Sequence, residues 1–191
     1  MNPKRDRTGQ TYVTNEGYII KIVEYVNNAK VLIEFQDEYK YKKWSRVWDC
    51  KQGRVKNPFH KSVYGVGYLG VMSDGTIPIT KVNGKMTREY NVCHDMIKRC
   101  YSETSLQIRP QYKDCIVDEK LHSYSYFLEH INEIMGYDLW LINCDYELDK
   151  DMWYKEQGIE TTYKIYSLET IRFIPHSDNT HIARYGKKKT R

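Results

Sequence analysis

The chain has no membrane-length apolar run, no paired-cysteine spacing and no phosphate-binding glycine loop. A spanning helix needs about 20 consecutive apolar residues, and no stretch approaches that, so no membrane partner is expected. The basic start, MNPKRDRTGQ, is followed by no apolar run of signal length, which points to cytoplasmic placement. The five cysteines, Cys50, Cys93, Cys100, Cys115 and Cys144, are odd in number and contain no C-x-x-C pair. Neither a zinc knuckle nor a closed disulfide framework is written in that spacing, which leaves buried free thiols in a reducing compartment. Gly65-Val66-Gly67 lacks the following lysine and the third glycine of the phosphate-binding fingerprints. It reads instead as a strand with close backbone packing, within Ser62 to Met72.

What is present is a modest excess of positive charge and an abundance of tyrosine. Thirty Lys+Arg against 25 Asp+Glu leave a net charge of +5, which suits a polyanionic partner without demanding one. Hydrophobic residues make up only 40%, but 18 tyrosines and 4 tryptophans supply large amphipathic side chains that can build a core. The same rings can stack on bases. A length of 191 residues accommodates one large domain or two to three small ones.

Residues 1–60 read as an independent β module. GYIIKIVEYV (17–26) and KVLIEF (30–35) flank Asn27-Asn28, and Asn tolerates the positive φ that a hairpin turn needs. A further strand through Tyr39 to Trp48, with Gly53 to Val55 closing the sheet, makes a small SH3-like barrel the economical solution. Its exposed side carries Lys40, Lys42, Lys43, Arg46, Lys51, Arg54 and Lys56, interleaved with Tyr39, Tyr41, Trp44 and Trp48. Cations reach phosphates and flat rings reach sugars and bases, so a nucleic-acid surface is one reading, with Lys42, Lys43, Arg46 and Lys56 as contacts. The other is that the rings face inward and the lysines are simply the wet face. Asn57-Pro58-Phe59-His60 favours an extended link and marks a boundary.

Residues 61–145 read as a β-hairpin followed by a helical region. Ser73-Asp74-Gly75 turns the chain and Asn83-Gly84 signals a hairpin. From Arg88 the period becomes helical, with Val92, Met96 and Cys100 on one stripe and Arg99 on the polar face as a phosphate contact. His94 reads as a capping or packing residue. A second amphipathic helix runs from Leu121 to Met135 and is ended by Gly136, with His122 and His130 at its surface.

Residues 146–191 read as strand, strand, helix. The first strand ends in Leu148-Asp149-Lys150-Asp151, a polar loop follows, and a second strand runs from Tyr163 to Ile174. A helix begins at Pro175, where the missing N–H has no helical partner in any case, and runs to about Arg184. His176 and Asn179 then share a face, and the acidic strand end could meet them on one cation. The plain alternative is that a charged triplet at a strand end is a solvated turn. The final RYGKKKTR, with Arg184, Lys187, Lys188 and Lys189, is a basic tail suited to polyanions.

Asp-Lys-Asp on a strand end, Tyr-Ser-x-Glu-Thr before Arg-Phe-Ile-Pro (residues 166–175), and Asn on the following helix resemble phage-encoded proteins related to HNH endonucleases, the ββα-metal or His-Me finger class. NVCHDMIKRCY (91–101) and YKDCIV (112–117) fit the same group, whose members carry a similar N-terminal module ending in Lys-Asn-Pro-Phe. The resemblance implies an α+β fold with a C-terminal ββα element, DNA as partner, and metal-dependent phosphodiester cleavage in the host-cell cytoplasm. It assigns catalysis to Asp149, Lys150 and Asp151, and a cation to Asp149 and Asn179 with help from His176 or Asp151. Oxygen donors suit Mg2+ or Mn2+ better than zinc. Arg172 and the tail would hold neighbouring phosphates. This chain departs from the group in one respect: no histidine stands in Leu148 to Asp151, and Lys150 occupies the place of the general base. A lysine of ordinary pKa is protonated at neutral pH and accepts no proton. Two further classes therefore stand beside the endonuclease: an inactivated HNH-like protein that binds nucleic acid, and an inhibitor of a host defence or transcription complex acting on a host protein.

Overall fold

The computed structural model describes residues 6–185, with side chains through Thr180, and divides at His60/Lys61 into two units. The fold is α+β.

In the first unit, β1 (Thr11–Val13), β2 (Ile19–Asn27), β3 (Lys30–Phe35) and β4 (Lys42–Ser45) form one antiparallel sheet in the order of the chain. Side chains alternate across a strand, so Ile20 and Ile22 of β2 and Val31, Ile33 and Phe35 of β3 share one face, and all five are fully buried. The register pairs Ile20 with Phe35 and Ile22 with Ile33. Asn28-Ala29 makes the β2–β3 turn, and the Asn27 side chain accepts the Ala29 N–H at 2.8 Å.

The sheet is open, not a barrel. The expected strand through Trp48 stops at Ser45, and helix α1 (Val47–Lys51) replaces its end. Arg46 grips Asp49 through two hydrogen bonds of 2.7 and 3.3 Å, which favours a helical turn there. Val47 and Cys50 of α1, with Val55, close the buried face that a fifth strand would have covered. Gly53 at φ +65° lets the chain return against Asn15; a Cβ there would stand 2.5 Å from the Asn15 Oδ1. The proline segment is packed rather than free. The Asn57 N–H donates to Glu16, its Nδ2 donates to Asp37 at 2.7 Å, and Phe59 stacks on Tyr39 at 3.9 Å.

The second unit begins with turns. Ser62 to Met72 contains isolated bridges instead of a strand: Val63 pairs with Gly67 around Tyr64 and Gly65, both at positive φ, and Tyr68 pairs with Ser123. β5 (Lys81–Val82) and β6 (Lys85–Met86) form the hairpin that Asn83-Gly84 signalled, both turn residues having positive φ. Helix α2 (Arg88–Tyr101) is capped by Thr87, whose hydroxyl accepts the Tyr90 N–H, and it buries Cys93, Met96, Ile97 and Cys100. Helix α3 (Glu103–Ile108) and a tight turn at Pro110–Tyr112 lead to β7 (Cys115–Val117).

The single helix expected over Leu121 to Met135 is broken. Ser123 caps a new start, giving α4 (Tyr124–His130) between two 3-10 turns. Gly136, at φ +85°, opens α5 (Tyr137–Ile142) instead of closing α4, and a Cβ there would collide with the Phe173 carbonyl. β8 (Tyr146–Asp149) follows, and then α6 (Asp151–Glu156) stands where a polar loop was expected. The long second strand is two strands. β9 (Lys164–Tyr166) lies parallel to β7, and β10 (Arg172–Pro175) antiparallel to β8. Reciprocal hydrogen bonds between Ser167 and Thr170 turn the chain between them. Helix α7 (His176–Tyr185) packs against both β8 and β10. Trp140 stacked on Phe173 at 4.7 Å, with Phe127, Ile134 and Tyr166, fills the core beneath. Among the described residues no helix is long and apolar enough to cross a membrane.

A fragment ending at His60 contains every partner described for the first unit. It should give a β-type circular dichroism spectrum and a cooperative thermal transition. A fragment ending at Gln52 loses Val55 and the Asn57 ties and should melt lower; a featureless spectrum for the longer fragment would contradict the division.

Candidate functional site

Two residues of the strand-end triplet are buried and Asp151 is partly exposed. Asp149 and Lys150 are 4% and 3% exposed. One carboxylate oxygen of Asp149 accepts the Met152 N–H at 2.7 Å, so this side chain caps the first turn of α6. Burial raises the Asp149 pKa above the usual carboxylate range. The Lys150 ammonium lies 3.1 Å from an Asp151 oxygen and over the rings of Tyr112 (4.8 Å) and Tyr166 (5.0 Å). Lys164 reaches the same Asp151 oxygen at 2.6 Å. Burial alone would lower the Lys150 pKa, but the Asp151 carboxylate together with Cys115 and Tyr112 outweighs it and the net shift is upward. Burial would likewise raise that of Asp151, but the two ammonium groups outweigh it and hold it low. Lys150 is thus a charged, paired cation rather than a proton acceptor.

His176 and Asn179 do come together, one turn apart on α7, but on Glu147 rather than Asp149. His176 Nδ1 lies 2.9 Å from one Glu147 oxygen, and Asn179 Nδ2 donates to the other at 3.0 Å. Glu147 stands two residues before Asp149, and that spacing on a strand was the available signal for it. Each of the expected donors already has a protein partner, whereas a magnesium-like ion requires several oxygens and retained waters in octahedral array. Asp151 already lies between two ammonium groups, Asp149 caps a helix, and His176 and Asn179 are held by a third carboxylate. Among the described residues no three His, Cys, Asp or Glu side chains gather as metal ligands.

The second unit's expected phosphate contacts are turned inward. Arg99 donates to the Leu148 carbonyl at 3.3 Å and hydrogen-bonds Tyr166. Arg172 is paired with Glu156 at 2.9 Å, and its side chain is 14% exposed. The Arg184 side chain and Lys187, Lys188 and Lys189 lie outside the described residues. His94 packs beside Tyr64 and Tyr90, and His122, expected at the surface, is half-buried against the Tyr101 hydroxyl at 3.3 Å. Cys50, Cys93, Cys100 and Cys115 are buried free thiols and Cys144 is exposed. Burial pushes Cys93 and Cys100 up to about 12, which keeps them protonated and unreactive.

The first unit presents a different surface. A cleft of about 440 Å³ is lined by Lys30, Lys43, Arg46, Arg54 and Lys56, with Asp49 the one acid and Trp44 in its wall. Arg46 is paired with Asp49, and Lys56 with Glu16 at 3.0 Å. Among the described residues Lys30, Lys43 and Arg54 make no ion pair. Lys42 lies outside the cleft, paired with Glu34 at 3.2 Å. The aromatics divide between the two readings. Tyr41 packs against the core and Phe59, whereas Trp44 and Trp48 are 46% and 56% exposed. No known protein family, curated protein or solved structure matches this chain.

The triplet's geometry makes a stability prediction. Asp151→Asn leaves the buried Lys150 without its nearest counter-charge and should cost about 3 kcal/mol in denaturant unfolding at neutral pH. Lys150→Met keeps volume, leaves Lys164 on Asp151, and should change stability by less than about 1 kcal/mol. Because the folded pKa of Asp151 is depressed, its contribution is present above the unfolded value near ~3.9 and is lost as pH falls through the lower folded one. The Asp151→Asn deficit should therefore shrink on acidification. Equal losses from both substitutions would contradict this account.

Proposed function

We propose that this chain binds DNA through the cationic cleft of the first unit, and that the second unit carries an HNH-like ββα element without a cleavage centre. The observation that carries the reading is the cleft: five cations against one acid, around an exposed tryptophan. Phosphate neutralisation supplies most of non-specific DNA affinity, and such a surface offers it. The order of β8, β10 and α7, an antiparallel pair with the next helix packed on both strands, supports the resemblance to the HNH group. The commitment of Asp149, Lys150 and Asp151 to internal bonds supports the inactive form of that element. The buried free thiols support action in a reducing cytoplasm, that of the host if the chain is phage-borne.

A second reading, contact with a host protein, is favoured by Leu139, Leu141 and Ile142, exposed by 47%, 48% and 79%.

Two measurements separate these. Duplex DNA affinity should fall steeply with salt, with a log–log slope of about −3 to −4.5 for three to five phosphate contacts. Supercoiled plasmid should stay intact with magnesium or manganese. Nicking that a chelator abolishes would restore the endonuclease, and absence of affinity at low salt would leave the protein-contact reading.

A further inference from the structure

Resting on the reading that this cleft binds nucleic acid, we infer that its occupant is a single strand, one base of which stacks on the Trp44 ring. The argument begins with where the ring is held. Trp44 is on β4, paired in register with Leu32 of β3, whose neighbours Val31 and Ile33 are fully buried. Alternation therefore points the Trp44 side chain away from the core, and the backbone ladder fixes its position. A scattered exposed aromatic would need no explanation. This one is among the residues that line the cationic cleft, and Lys30, on the same face of the sheet, places its ammonium 4.7 Å from the ring centroid.

The chemistry of that combination selects the strand. A duplex offers its phosphates to a cationic surface but keeps its base faces stacked inside, where a tryptophan standing on a sheet cannot reach them. A single strand offers both, and every base has a face that stacks irrespective of sequence. The cleft volume of about 440 Å³ falls in the range of small-ligand pockets, the scale of a nucleotide rather than of a duplex flank. The cations supply backbone grip for either form, and the ring adds affinity for only one. Trp48 is more exposed than Trp44 but does not line the cleft, so it serves as an internal control.

The test uses the full chain, a labelled oligothymidylate and a hairpin duplex at low salt, with folding of each variant checked by circular dichroism. Trp44→Ala should weaken oligothymidylate binding by about tenfold, within the range found for loss of one stacked base, and leave duplex binding unchanged. Trp44→Phe should recover part of the loss, and Trp48→Ala should show none. Oligothymidylate should quench tryptophan fluorescence in the wild type and much less in Trp44→Ala. The double variant Lys43→Gln/Arg54→Gln should weaken both ligands. If Trp44→Ala weakens both equally or neither, while the charge variant weakens both, stacking is refuted and the cleft stands. If the charge variant binds both normally, the cleft itself is refuted.

Discussion

One ammonium group organises the second unit. Lys150 is 3% exposed, and withdrawing such a charge from water costs several kcal/mol unless it is paired and surrounded. The Asp151 carboxylate pairs it, and the rings of Tyr112 and Tyr166 flank it. These groups come from the turn before β7, the start of α6 and the end of β9, while Lys150 itself stands between β8 and α6. The parallel pair β7–β9 and the antiparallel pair β8–β10 are thereby tied at one point. Lys164 brings a second cation to the same Asp151 oxygen.

That constraint decides the chemistry open to the strand end. A carboxylate already paired with two ammonium groups is a poorer place for a divalent cation than a free one, because the third charge would meet repulsion. Asp149 is held by the helix it caps, and Glu147 gathers His176 and Asn179. The arrangement keeps the outline of an acidic strand end facing a polar helix while its polar atoms satisfy one another. The first unit follows opposite logic: its cations line an open cleft, and three of them lack counter-charges among the described residues.

Much of the local structure was legible in the sequence wherever a short-range rule dominates. The α2 stripe, the β3 alternation and the Asn83-Gly84 hairpin follow from spacing or turn chemistry within a few residues. Failures came where distant segments compete for the same residues. Tyr163 to Ile174 looks like one strand by composition, yet its halves pair with β7 and β8, and only the Ser167–Thr170 turn betrays the break. The helix α6 was hidden because a run of charges reads as a loop until Asp149 is seen as its cap. The barrel failed because Arg46 and Asp49 sit three apart and close a helical turn where a strand was expected. At the site, Asp149, Lys150 and Asp151 were visible as a triplet. Tyr112, Tyr166 and Lys164 were not, since no spacing rule links them to it. The cleft was half legible: Lys43, Arg46 and Lys56 stood out as a run, and Lys30 joins them only through the β3–β4 pairing.

The central claim, that Lys150 with Asp151 is a closed structural ion pair and not part of a metal centre, is most directly tested on the ammonium group itself. Nitrogen-15 NMR of the lysine side chains, assigned with Lys150→Met, should show a protonated Lys150 Nζ in slow exchange with solvent, unmoved by millimolar magnesium. A saturable magnesium-dependent shift of that resonance, together with shifts of the Asp149 and Asp151 carboxyl carbons, would contradict the account.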